Sequence, residues 1–114
     1  MMRRGEVWVV NFNPNKGKEI GKIRPVVILQ ANEITAASLG TILVAPLTTR
    51  LWSALEPLRV KISARDRLEK DCHVIVEQVR ALDHSRFGEG PLTTLTTEEM
   101  AAVEKSLKGV LGLL

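Results

Sequence analysis

Short runs of β-forming residues succeed one another through most of the chain, and a helical period appears once, near the end. Gly5 to Phe12 alternate as a strand requires, with Trp8, Val10 and Phe12 on one face and Val7, Val9 and Asn11 on the other. Pro25 to Gln30 is a continuous run rich in β-branched residues, the pattern of a strand covered on both faces. Thr41 to Leu47 is a second such run, closed by Pro46, with Thr48 and Thr49 at its exit. Leu58, Val60 and Ile62 alternate with Arg59, Lys61 and Ser63, which marks a half-buried antiparallel strand, and Cys72 to Val79 supplies a fifth. From Thr96 the period changes. Met100, Val103, Leu107, Val110, Leu111 and Leu114 follow the spacing of one helix face, and Thr96 with Glu99 forms a capping-box pair at its start.

Five strands and a terminal helix in 114 residues predict one mainly β domain over residues 1–114, a strongly bent sheet or half-open barrel closed on one side by the helix. Strands and helices do not alternate, and no glycine-rich loop joins a strand to a helix, so a dinucleotide-binding or P-loop fold has no footing. The longest uncharged stretch, Ile34 to Thr49, is interrupted by Ser, Thr, Gly and Pro and falls short of the roughly 18 to 20 apolar residues of a membrane helix. Met1, Met2, Arg3 and Arg4 lead straight into the first alternating run, without the apolar block of an export signal. A cytoplasmic protein with no membrane association is expected. Cys72 stands alone and fits a reducing compartment, and one Cys with two His cannot supply the usual zinc spacing, so structural zinc is excluded; no cofactor is called for.

The basic charge is concentrated at the front. Arg3, Arg4, Lys16, Lys18, Lys22 and Arg24 face only Glu6 and Glu19 in the first 24 residues, and Asn13 to Ile23 reads as a long polar loop. Familiar nucleophile sets fail on geometry. Cys72 and His73 are strand neighbours whose side chains point apart, and Asp83, His84 and Ser85 are consecutive. His73 and His84 are therefore read as surface or turn residues. Arg24 precedes Pro25, which biases its backbone to extended geometry where the basic loop enters a buried strand. It is read either as a fixed guanidinium beside that loop or as half of a surface ion pair.

Four blocks in register, Arg4-Gly5-Glu6-Val7-Trp8, Gly17-x-Glu19 leading to Arg24-Pro25-Val26-Val27, Pro46-Leu47-Thr48, and Glu77-Gln78-Val79-Arg80-Ala81-Leu82-Asp83, resemble the MazF/PemK family of toxin ribonucleases. The resemblance implies an SH3-like half-open β-barrel of the MazF/CcdB toxin type with a C-terminal helix. It implies a homodimer that cuts single-stranded RNA without a metal and is neutralised by a cognate antitoxin protein. Carried over by position, the family's catalytic residues fall on Arg24 and Thr48, with Glu19 either a candidate general base or a solvated loop carboxylate pairing Lys18 or Lys22. Lys16, Lys18, Lys22 and Arg50 would line the RNA path; Trp52 would stack on a base, anchor the antitoxin or pack within its own loop; and Glu77, Gln78 and Arg80 would contact RNA, unless Gln78 and Arg80 instead secure a strand end.

The chemistry of these residue types suits that assignment. When a ribose 2′-hydroxyl attacks its own 3′-phosphate, charge builds on the non-bridging oxygens, and a guanidinium fork with a hydroxyl can meet it. The chain departs from the PemK branch at Lys18, where a His precedes the loop Glu, and at Ile75, where an Arg stands two residues before the acid retained here as Glu77. That removes an Arg–Asp pair and returns weight to Arg24 and Thr48. Two alternatives stay open at this point: a CcdB-like toxin that binds DNA gyrase and cleaves nothing, and a non-catalytic RNA-binding module.

Overall fold

A computed structural model describes residues 2–13 and 22–114. Seven strands run β1 (Glu6–Asn11), β2 (Ile23–Ile28), β3 (Thr41–Thr48), β4 (Val60–Ile62), β5 (Cys72–Val74), β6 (Arg80–Asp83) and β7 (Thr93–Thr94), with helices α1 (Asn32–Ala36) and α2 (Thr97–Val110). The antiparallel order is β4-β5-β3-β2-β1-β7, and β6 also pairs with β3. One edge of β3 carries β2. Its other edge is divided: Thr41 to Val44 lie opposite Asp83 to Arg80, whereas Leu47 and Thr48 lie opposite Val74 and His73. The change of partner falls at Pro46, which has no amide hydrogen to give a ladder, while its carbonyl accepts from the Ile75 amide at 2.8 Å. Two ladders hung on one strand curl the sheet into the half-open barrel expected.

Burial follows the strand patterns. The continuous apolar run of β2 feeds two cores: Val27 joins Val7, Leu47, Val74, Met100 and Val103, and Val26 with Ile28 joins Val10, Phe12, Val44 and Leu82. A central strand covered on both faces has no need to alternate. Trp8 packs beside the second core, and the Gly90 backbone lies so close to its indole that a Cβ there would fall on the ring.

The structure corrects several expectations. Cys72 to Val79 is not one strand: β5 ends at Val74, Val76–Gln78 form a 3-10 turn, and β6 begins at Arg80. The corner is required because β5 meets the end of β3 and β6 meets its beginning. The helix starts as read, with the Thr96 hydroxyl accepting from the Glu99 amide at 3.1 Å and the Glu99 carboxylate accepting from the Thr96 amide at 2.8 Å. Its apolar stripe is buried only at Met100 and Val103 and partly at Leu107, whereas Val110, Leu111 and Leu114 are exposed. His73, expected at the surface, is 1% exposed.

Candidate active site

Arg24 sits in β2 opposite Val10 of β1. In the neighbouring ladder Val26 lies opposite Pro46, and two residues further along each strand are Arg24 and Thr48. Directly opposed residues of antiparallel strands share a face. Continuing that register therefore sets Arg24 and Thr48 on one face, at one end of the β2–β3 pair. Arg24 is half-buried, and Thr48 is 7% exposed. The Thr48 hydroxyl oxygen accepts from the Arg50 amide at 3.1 Å. A hydroxyl has one hydrogen and two lone pairs, so this contact leaves the hydrogen available for donation.

The segment after Thr48 is tied to β5 by His73, the residue opposite Thr48. His73 Nδ1 accepts from the Trp52 amide at 3.2 Å, so the ring proton sits on Nε2, which faces Glu56 Oε2 at 2.7 Å. Between the two attachments Ser53–Leu55 make a 3-10 turn. Trp52 stands 58% exposed on this anchored segment. The Arg50 side chain is exposed.

The other expected contacts fall in two places. Glu77, Gln78 and Arg80, with Val79 and Ala81, line a groove of about 440 Å³. Arg80 lies opposite Val44, which lies opposite Ile28, so it shares the sheet face of Arg24. Its guanidinium sits 5.3 Å from the centroid of Phe12. Glu77 is engaged by Arg59, whose Nε donates to it at 3.0 Å. Lys22 is exposed at the mouth of the loop, its amide donating to Asn13 Oδ1 and its carbonyl accepting from Phe12, with φ of 69°. Lys16, Lys18 and Glu19 lie outside the described residues.

Sequence reasoning missed His73, Glu56 and Arg59. A histidine inside Cys72-His73-Val74-Ile75-Val76 carries the signal of a buried polar ring, but its partners lie 17 and 21 residues away along the chain. Burial pushes the Cys72 thiol up to about 11, with Asp71 adding to the shift, so it is not a poised nucleophile. Among the described residues no three His, Cys, Asp or Glu side chains gather where they could hold a metal ion. No helix among them is long and apolar enough to cross a membrane.

The fold is a small curled antiparallel sheet with one C-terminal helix. The family of PemK-like, MazF-like toxins of type II toxin-antitoxin systems matches residues 3–111. A curated relative, endoribonuclease MazF of Staphylococcus saprophyticus, is 40% identical over 114 residues, covering 99% of this chain and 93% of its own. MazF from Deinococcus radiodurans superposes with a TM-score of 0.82 at 26% identity, over 97% of this chain and 96% of that one. A MazE–MazF structure from the same organism gives 0.76 at 25% identity, over 99% and 97%. The chain belongs to the PemK/MazF family of toxins. The activity that this membership assigns is that of an endoribonuclease.

Proposed function

We propose that the chain cuts single-stranded RNA by in-line attack of a ribose 2′-hydroxyl on the adjacent phosphate, with Arg24 and Thr48 as the charge-stabilising pair. The supporting observation is the β2–β3 register, which reaches Val26 opposite Pro46 and, carried two residues further, would bring these two donors to one face at one end of the ladder. As the 2′-oxygen bonds to phosphorus, charge grows on the non-bridging oxygens. A bidentate guanidinium and a hydroxyl whose lone pair is already engaged by the Arg50 amide suit that charge. The bond from phosphorus to the 5′-oxygen then breaks and that oxygen takes a proton, leaving a 2′,3′-cyclic phosphate and a 5′-hydroxyl end. No step needs a metal ion. Glu19 is assigned as the base that removes the 2′-proton.

Lys16, Lys18, Lys22, Arg50, Trp52, Gln78 and Arg80 complete the RNA path, and Glu77 borders it through its pairing with Arg59. A homodimer acting in the cytoplasm and silenced by an antitoxin completes the reading, supported by family membership and by the MazE–MazF structure. Incubating the purified chain with a long transcript in EDTA tests it. Cyclic-phosphate ends on RNA with DNA left intact are expected, and inert RNA, or cleavage that returns only with added metal, overturns the mechanism.

A further inference from the structure

We infer that His73 is a positioning residue for RNA capture, its buried ring fixing the segment from Thr49 to Glu56 so that the Trp52 indole is presented beside Thr48. The inference takes its substrate from the RNA-cutting reading above and its geometry from the fold alone.

A ring that is 1% exposed cannot touch substrate, so whatever His73 does it does through its neighbours. Burying two polar nitrogens is costly unless both are satisfied, and the flanking Cys72, Val74, Ile75 and Val76 show that this run otherwise takes apolar side chains. Both nitrogens are spent on one segment, on the Trp52 amide and the Glu56 carboxylate. These attachments bracket the Ser53–Leu55 turn, and the Arg50 amide on the Thr48 hydroxyl supplies a third. Buried polar residues among those described are Thr48, His73 and Thr93, and two of the three are the cross-strand neighbours at this point.

The anchored segment nevertheless holds Trp52 out. The residue is 58% exposed while its backbone is fixed from a buried strand, which is the condition under which an aromatic serves as a stacking surface with little ordering cost on binding. Free indole surface on a loose loop would give up part of that gain.

The test combines His73→Leu, which removes both ties, with His73→Asn, whose amide oxygen replaces the Nδ1 acceptor. Each is made in the native chain and in a Trp52→Ala background and assayed on a defined single-stranded RNA well below the melting temperature. His73→Leu should raise KM by about five- to a hundredfold, the range expected for losing one stacked base, with kcat within about twofold. His73→Asn should recover most of the loss, and neither variant should add to the KM of Trp52→Ala. An equal His73 effect in both backgrounds, or a fall in kcat at constant KM, overturns the inference. Should His73→Leu fail to fold, Glu56→Ala removes one tie from the exposed end and should raise KM in the same way, while Glu56→Gln should not. Exchange of the Trp52 amide by NMR reads the tie without RNA: it should quicken by about tenfold or more in His73→Leu or Glu56→Ala, and unchanged exchange overturns the inference. A chain that cuts no RNA yet shows that quickening would sink the RNA reading and leave the anchoring intact.

Discussion

The Thr48 hydroxyl accepts one backbone hydrogen bond, from the Arg50 amide, and keeps its own hydrogen available for donation. Removing that hydroxyl while keeping the side-chain shape is the direct test: Thr48→Val, which also takes the acceptor from the Arg50 amide, should lower kcat by roughly one to three orders of magnitude, measured by single-turnover cleavage with thermal scans to follow the fold. Thr48→Ser should keep most of the rate. Arg24→Ala should abolish cleavage while leaving the fold standing, and Arg24→Lys should not restore it, because a point charge does not replace a planar fork. Both positions stand out in the sequence as candidates through their blocks, Arg24 before Pro25 and Thr48 after Pro46-Leu47. His73 was not, since nothing local to Cys72–Val76 says that a ring there will hold a segment that begins at Thr49.

Helix α2 shows how far local pattern reaches. Its capping box was written in Thr96 and Glu99, but the second hold on Glu99, an ion pair with Arg65 at 2.6 Å, comes from 34 residues away. Burial pushes the Glu99 carboxyl up, and the Arg65 and Thr96 hydrogen bonds outweigh it, so the group is held below its ordinary value of 4.5. A carboxyl lowered in the folded state contributes stability above its unfolded value and loses that contribution as pH falls through the folded one. Glu99→Gln should therefore be less stable than the native chain at neutral pH, with the gap closing below about pH 4 in urea titrations. Thr96→Ala should cost about 1 kcal/mol. The apolar spacing runs on through Leu111 and Leu114 although the helix ends at Val110 and all three residues are exposed, because periodicity carries no record of where the helix or its opposing surface stops. The corner between β5 and β6 was missed for a related reason: Cys72 to Val79 stays apolar through a turn that its partners on β3 impose.

For the whole molecule, the excess of basic residues in the first 24 positions, with Arg50, predicts that affinity for RNA is carried in large part by phosphate contacts. Binding to an oligonucleotide blocked by a 2′-deoxy substitution at the cut site, followed by anisotropy, should give a falling line of log K against log salt, with a slope of about −0.7 for each phosphate neutralised. A flat line would remove the basic path. The bent sheet and closing helix were legible because β1 to β4 each carry a pattern of their own, whereas the division of β3 between two partners was not, because pairing is a property of two strands and each pattern belongs to one. That division bears on how such a chain can change. Slipping β3 by a single residue would exchange inward and outward side chains along its whole length and break two pairings together, so the alcohol at its tip cannot be re-aimed in small steps. Variation is accommodated more easily in connectors such as Ser53–Leu55, a stretch that lies between two anchored residues and belongs to no strand.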